Sequence, residues 1–238
     1  MGKFVIGDIH GAYRALLQCF ERSGFNKDRD QLISIGDVAD GWPEVPQCVE
    51  ELLTIKKFIN LRGNHDQWCY TWMMTEEGLA EWLDQGGEAT KKGYDQLKGQ
   101  IDFEKHIRFF GTQWNYYTDE ENRAFVHAGY TSLEGLGHEE SFNYWWDRTL
   151  YRKMLSAVPQ WKKNGILPKL LRPYKEVFIG HTSTTNQGTD KPMNICGSLW
   201  NLDTGAGWDG KLTIMNVETK EFWQSDVVET LYDEKGRS

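Results

Sequence analysis

The chain of 238 residues is 39% hydrophobic and 26% charged, a composition that is typical of a folded globular protein and argues against a disordered or collagen-like chain. Its 27 basic and 35 acidic side chains give a net charge of -8. Long nucleic acid is therefore not an expected partner, because binding it needs clustered lysine and arginine. No apolar run approaches the roughly 18 residues that cross a bilayer. We expect a cytoplasmic protein without a membrane partner, whose anionic substrates would need positive charge from bound metal ions.

The four cysteines give no sign of disulfide or zinc chemistry. None of them lies in a Cys-x-x-Cys pair, and their spacing matches no zinc-binding pattern. We interpret them as small, buried, apolar side chains of a protein in a reducing compartment. They occupy positions Cys19, Cys48, Cys69 and Cys196.

The first 66 residues alternate short apolar runs with amphipathic helical patterns. The runs at 4–6, 32–35 and 58–61 are predicted strands, and apolar residues recur with helical spacing over 12–23 and 46–55. Strands that alternate with helices are typical of βαβ units. The pattern therefore predicts an α/β fold with a largely parallel sheet.

The rest of the chain contains further short apolar runs. Those at 124–126 and 176–179 are predicted strands of the same kind. The runs near the end of the chain are predicted to be partly antiparallel strands, at 199–202, 211–217 and 221–224.

The segments between these strands complete the expected organisation. Residues 68–105 and 141–172 are rich in aromatic side chains and are predicted to be helical or loop segments that cap the fold, while 233–238 is a predicted polar tail. No linker, low-complexity tract or internal repeat interrupts the pattern. We therefore expect one domain that spans residues 1–238.

Polar side chains follow several predicted strands at the point where each strand ends beside a glycine. In open α/β sheets the ligand site lies beyond the carboxyl ends of the strands, so these side chains should meet at one edge. Burying so many polar and acidic groups is costly unless something such as divalent cations satisfies them. Carboxylate, imidazole and amide donors without thiolate suit manganese, iron or zinc. The set comprises Asp8, His10, Asp37, Asn64, His65, His127 and His181.

Two members of this set are candidates for particular roles. If these ligands form two groups with Asp37 between them, its carboxylate would bridge two ions about 3.5–4 Å apart, the spacing of two-metal phosphatases. His65 would serve as a general acid for a leaving group if a carboxylate held its other ring nitrogen.

Five short motifs resemble those of the calcineurin-like metallophosphoesterases. GDIHG at 7–11, GDVAD at 36–40 and RGNHD at 62–66 resemble three signature motifs of that family, and HAG at 127–129 and GHT at 180–182 resemble its downstream metal-ligand histidines. Five motifs in the family's order are a much more specific signal than a single short motif. The pattern is similar to the compact phage lambda-type protein phosphatases of the serine/threonine branch and to bacterial diadenosine tetraphosphatases.

The resemblance implies a fold, a cofactor and a role for each site residue. The fold would be a layered α/β/β/α sandwich with the metal site at the carboxyl ends of the central strands, and the cofactor two divalent metal ions, with manganese expected and iron or zinc as alternatives. Asp8 and His10 would bind the first ion, Asn64, His127 and His181 the second, and Asp37 both. His65 would be the general acid and Asp40 its orienting partner, while Arg62 and Arg148 would bind the substrate phosphate.

One departure from the family leaves the substrate open. The family's second motif usually continues with arginine, a phosphate clamp, but here Asp40 is followed by Gly41 and Trp42, and neither can replace a bidentate guanidinium. Trp42 could either stack on a nucleobase or aryl group or pack beneath its loop.

Three functions remain at this point. The first is a phosphatase that hydrolyses phosphate monoesters by attack of metal-bound hydroxide and resembles serine/threonine protein phosphatases. The second is a hydrolase of nucleotides, either dinucleoside polyphosphates or phosphodiesters. The third, a metal-stabilised binding module without catalysis, is disfavoured because the whole set of candidate ligands is present.

Overall fold

The computed structural model describes residues 1–233 and 236, so most of the predicted polar tail lies outside the described residues. Two five-stranded mixed sheets form its centre. The first sheet has the strand order β10-β9-β1-β2-β3. Its strands are β1 (Lys3–Ile6), β2 (Gln31–Ser34), β3 (Lys57–Asn60), β9 (Thr213–Asn216) and β10 (Phe222–Gln224).

The second sheet has the strand order β4-β5-β6-β8-β7. Its strands β5, β6 and β8 are parallel, and β4 and β7 are antiparallel to their neighbours. The bounds are β4 (Tyr116–Thr118), β5 (Arg123–Val126), β6 (Glu176–Ile179), β7 (Met193–Ile195) and β8 (Leu199–Asn201).

Parallel pairing brings the carboxyl ends of the first three strands together. Ile6 of β1 pairs with Ser34 of β2, which pairs with Asn60 of β3. In the second sheet, Phe125 of β5 is likewise in register with Phe178 of β6. The loops that leave these five strands therefore emerge at neighbouring edges, as predicted for the motif residues.

The sheets pack face to face, and helices cover their outer faces. A buried apolar cluster between the sheets includes Val5, Ile33 and Met215 from one sheet and Phe125 and Phe178 from the other. The rings of Phe125 and Phe178 stack with centroids 4.8 Å apart. This is the α/β/β/α sandwich that the motifs implied.

Eight α-helices of the described residues flank the sheets, and the two segments predicted as caps supply six of them, in whole or in part. Helices α1, α2, α3, α5 and α6 cover the first sheet through an outer core of their own, and α8 covers the second. No helix among the described residues is both long and apolar enough to cross a membrane. The bounds are α1 (Tyr13–Ser23), α2 (Val45–Leu52), α3 (Asn64–Thr75), α4 (Ala80–Trp82), α5 (Glu88–Gln96), α6 (Phe103–Gly111), α7 (Ser141–Trp146) and α8 (Thr149–Asn164).

Candidate active site

The motif loops converge on a cavity of about 710 Å³ where the strand ends of both sheets meet. Asp8 and His10 follow β1, Asp37 follows β2, and Asn64 begins α3 directly after β3. His127 follows β5 and His181 follows β6. The structure thus brings all six predicted metal ligands together, and His10, Asp37, Asn64, His65, Arg148 and His181 are among the residues that line the cavity.

The candidate ligands form two groups that share one carboxylate. Asp8, His10 and Asp37 offer ligand atoms that all lie within 4.8 Å of one another, and so do Asp37, His127 and His181. The amide oxygen of Asn64 lies 3.1 Å from His127 Nε2 and 2.9 Å from His181 Nδ1. Asp37 therefore occupies the position that a bridging carboxylate requires.

Three histidines are oriented by backbone carbonyls. The Nδ1 of His10 lies 3.1 Å from the carbonyl of Ala39, and the Nδ1 of His127 lies 2.9 Å from that of Ile35. His181 uses its Nε2 in the same way, 3.2 Å from the carbonyl of Trp146. A carbonyl only accepts, so each bonded nitrogen carries the proton and the opposite nitrogen presents its lone pair to the site. Metal-ligating histidines in proteins are held in this manner.

Burial and the charges of neighbouring side chains shift the pKa values of these buried groups. Desolvation and the nearby carboxylates of Asp203 and Asp37 raise the pKa of Asp8 well above its usual range. Burial lowers the pKa of His127, but Asp37 and Asp8 outweigh burial and raise it to about 9. For His181, burial and the neighbouring His127 lower the pKa well below its usual value. Such crowding is costly unless cations compensate it.

His65 and Asp40 form a buried pair at the cavity. The Nδ1 of His65 donates to Asp40 Oδ2 over 2.8 Å. The same carboxylate oxygen accepts the indole N–H of Trp82, also over 2.8 Å, and the second oxygen accepts the hydroxyl of Thr90 over 2.7 Å. The carboxylate is thereby fixed on both oxygens, and it holds the imidazole with Nε2 as the nitrogen for proton transfer.

A second buried carboxylate, Asp66, ties the motif loops to each other. Its Oδ1 accepts hydrogen bonds from the backbone N–H groups of Val38 and Ala39. Its Oδ2 accepts from the backbone N–H of Gly63 and from the side-chain Nε2 of Gln113. The loop that carries Asp37 and Asp40 is therefore held against the start of α3.

Left-handed backbone places several of the predicted site residues. The backbone φ angles of four of them lie between 50° and 69°, a region that residues other than glycine rarely adopt. They are His10, Asp37, Asp40 and His181. Strain of this kind persists where surrounding structure enforces it, and it clusters at functional sites.

The two predicted phosphate-binding arginines lie in different surroundings. Arg148 precedes α8 and lines the cavity. Arg62 is not among the described residues that line it. Its guanidinium donates to Gln67 Oε1 and to the carbonyl of Phe110, both over 2.6 Å, and stacks over Tyr70. As placed, Arg62 joins α3 to α6, and its role as a phosphate ligand stays a prediction.

Trp42 packs beneath its loop, as one of the two sequence interpretations held. Its side chain is 1% exposed, its indole N–H donates to the carbonyl of Ala206 over 2.8 Å, and its ring stacks on Tyr232 with centroids 4.7 Å apart. Trp42 is among the residues that line the cavity, but these contacts leave its ring almost wholly covered.

Comparison with known proteins identifies the family. Residues 4–205 match the family model described as calcineurin-like phosphoesterase. The chain belongs to this family. It is 22% identical to a symmetrical bis(5'-nucleosyl)-tetraphosphatase of Coxiella burnetii over 93% of this chain and 92% of that one. It is 32% identical to serine/threonine-protein phosphatase 1 of Salmonella typhimurium over 36% of this chain and 38% of that one.

A solved structure agrees with the fold. The crystal structure of a putative diadenosine tetraphosphatase has a TM-score of 0.60 to this metallophosphoesterase, at 14% sequence identity, and the match covers 94% of this chain and 92% of the other. The recognition of the family from five motifs is thus confirmed, as is its activity class, a metal-dependent phosphoester hydrolase.

The residues present fit the divalent metals that the family uses. Asp8 Oδ1 is buried and has no hydrogen-bond partner among the described residues. A Cβ on Gly180 would lie 2.0 Å from that oxygen, and one on Gly63 would lie 2.0 Å from Asp37 Oδ1. Glycine at these positions lets each carboxylate rest against the backbone. Oxygen and imidazole donors without a nearby thiolate suit hard or borderline divalent metals.

Sequence reasoning missed three residues of the site. Trp82 and Thr90, which hold Asp40, belong to the segment 68–105, which was predicted only as a cap. Asp203, which lines the cavity, was not a candidate. The signal for each was a long-range contact, which no local pattern contains.

Proposed function

We propose that this metallophosphoesterase hydrolyses phosphate esters with two divalent cations and with His65 as the general acid. One arrangement carries the proposal: Asp37 belongs to both ligand groups and lines the same cavity as His65, which Asp40 holds. Asp8 and His10 would hold one ion, Asn64, His127 and His181 the other, and manganese is the expected metal. When bound, the cations supply positive charge to the phosphoryl oxygens and lower the pKa of an attacking water.

The side chains of the site perform the remaining tasks. Arg148 binds the oxygens of the phosphate that is cleaved, since its guanidinium is half-buried at the cavity and a planar fork matches phosphate geometry. His65 transfers the proton on Nε2 to the leaving oxygen, and Asp40 stabilises the imidazolium before transfer. General acid catalysis of this kind contributes roughly 10²–10⁴-fold to a rate.

Two substrate classes are supported by different observations. Phosphate monoesters, including phosphoserine and phosphothreonine proteins, are supported by the motif similarity to the Salmonella protein phosphatase over 36% of this chain. Dinucleoside polyphosphates are supported by tetraphosphatase relatives that match over 93% of it. Gly41, in place of the usual arginine clamp, weighs against a standard phosphoprotein site. The buried, free cysteines suit a reducing compartment, and we propose that the enzyme acts in the cytoplasm.

A substrate panel tests the proposal. The purified protein, with manganese added, would be given an aryl phosphate monoester, a phosphothreonine peptide, an aryl phosphodiester and diadenosine tetraphosphate. We expect metal-dependent release of product from at least one of them, abolished by chelator and restored by metal. Absence of turnover on all four would overturn the enzymatic function and favour a binding module.

A further inference from the structure

A second, smaller groove opens beside the active-site cavity. Its volume is about 260 Å³, and it shares Trp146 and Arg148 with the cavity. We call it the α7–α8 groove, because its lining comes from α7 and the start of α8. It is lined by Phe142, Asn143, Trp146, Asp147, Arg148 and Arg152.

A row of aromatic rings connects the proposed general acid to this groove. The ring of His65 meets Trp68 edge to face at 5.2 Å, and Trp68 meets Trp146 edge to face at 4.8 Å. Trp146 in turn stacks on Phe142, with centroids 5.8 Å apart and planes inclined by 20°. Phe142 is 60% exposed. His65 and Trp146 line the cavity, and Trp146 and Phe142 line the groove, so a leaving group whose oxygen lies at His65 can extend past Trp146 into the groove.

Two arginines face the same groove without partners of opposite charge. The guanidinium groups of Arg148 and Arg152 make no ion pair or side-chain hydrogen bond with any described residue. Asp147, the acid in the groove, already accepts the backbone N–H and hydroxyl of Thr149. Burial and, after it, the positive charge of Arg152 lower the pKa of Arg148, while the carboxylates of Asp37 and Asp203 oppose this shift. An anion beside the two arginines would offset the repulsion between their guanidinium groups.

The groove is less acidic than the cavity. The cavity lining includes the carboxylates of Asp203, Asp209 and Glu229, whereas Asp147 is the one acid among the described residues that line the groove. Arg148 lines both the cavity and the groove, whereas Arg152 lines only the groove. An anionic group beside Arg152 would therefore be a second group, in addition to the phosphate that Arg148 binds at the cavity.

We propose that Arg152 and Phe142 form a leaving-group subsite, which binds a second anionic group and a planar ring of the substrate. The chemical class that offers both is a nucleotide with more than one phosphate, whose outer phosphate contacts Arg152 and whose base stacks on Phe142. Aromatic stacking of a base and charge-assisted bonds from arginine to phosphate are the interactions that such a ligand uses. The inference rests on the proposed function, since it places the leaving group by His65.

The test compares two substrates that differ in the groups the subsite would bind. Diadenosine tetraphosphate carries further phosphates and bases, whereas p-nitrophenyl phosphate carries neither a second phosphate nor a base. Both would be assayed with free manganese held constant in excess, because polyphosphates chelate metal. The variants are Arg152→Gln and Phe142→Leu. Lys153→Gln is the matched control, since it removes the same charge from the next exposed position of α8.

The expected result is a change in the ratio of kcat/KM for the two substrates. Arg152→Gln should lower the ratio of tetraphosphate to aryl phosphate about tenfold, mainly through KM, in line with one lost charge-assisted contact. Phe142→Leu should lower it in the same direction, and Lys153→Gln should leave it unchanged. Unchanged thermal unfolding of each variant would confirm that the fold is intact.

Other outcomes separate failure of the subsite from failure of the proposed function. If Arg152→Gln and Lys153→Gln behave alike while the protein hydrolyses both substrates, the subsite is wrong and the phosphoesterase stands. If Arg152→Gln instead impairs only hydrolysis of a phosphothreonine peptide with acidic flanking residues, the nucleotide class is overturned. If the unmodified protein hydrolyses none of the four substrates named under the proposed function, that function itself is overturned.

Discussion

The Nδ1 of His65 donates to Asp40 Oδ2 over 2.8 Å, and both side chains are buried at the edge of the active-site cavity. The pair places a proton donor, His65, in the same cavity as the metal-ligand groups. It predicts that His65 matters most for leaving groups that need a proton.

His65→Ala should lower kcat for an alkyl phosphate or phosphopeptide by roughly 10²–10⁴-fold, the usual contribution of a general acid. Hydrolysis of p-nitrophenyl phosphate should fall much less, because p-nitrophenolate leaves without protonation. Rates for both substrates and the bound metal would be measured together. An equal loss on both substrates with metal content intact would contradict the acid role.

The hydrogen bonds that fix Asp40 predict that Trp82, which donates one of them, affects both stability and activity. Trp82→Phe keeps the ring but removes the N–H that donates to Asp40, which should cost about 1–3 kcal/mol in the free energy of unfolding. It should also reduce kcat, since His65 loses a fixed partner. Trp72→Phe is the control, because Trp72 packs in the same cluster. Urea unfolding and steady-state kinetics would compare them, and equal effects of the two variants would contradict the positioning role.

The shared carboxylate predicts that both metals depend on Asp37. Asp37→Asn should bind fewer than two equivalents of manganese and lose most activity, because one side chain serves both ligand groups. Asp28→Asn, an exposed acid on the surface, should retain both. Metal content after dialysis would be measured by elemental analysis. Two tightly held equivalents in the Asp37 variant would exclude bridging.

A buried ion network away from the cavity predicts a pH effect on stability. Asp119 accepts from Lys3 Nζ over 2.7 Å and from Arg123 Nε over 2.9 Å. Burial opposes its ionisation, but these bonds prevail and lower the pKa of Asp119 below its usual value. The stabilisation is therefore complete above the unfolded pKa of about 3.9 and is lost as pH falls through the lower folded pKa.

The corresponding variant is Asp119→Asn, which should lower the free energy of unfolding by about 3 kcal/mol at pH 7. The difference from the unmodified protein should shrink below about pH 4, where that protein also loses the charge. Denaturant unfolding at several pH values would measure it. A difference that stays constant down to pH 2.5 would show that packing, rather than charge, is the cause.

The sequence predicted those parts of the site that lie in local patterns. A short apolar run that ends at glycine and a polar residue marks a strand end, and parallel pairing then brings Asp8, Asp37 and His127 together. Two short strands were missed, Tyr116–Thr118 and Met193–Ile195, because these edge strands contain no continuous apolar run. The surroundings of Arg62 were also unforeseen, since its partner Phe110 lies 48 residues away.

Crystallographic anomalous scattering from manganese-loaded protein tests the central claim most directly. We predict two peaks about 3.5–4 Å apart, one beside Asp8 and His10 and one beside Asn64, His127 and His181, with the Asp37 carboxylate between them. A single peak, or two peaks that do not both contact Asp37, would contradict a two-metal centre bridged by this residue.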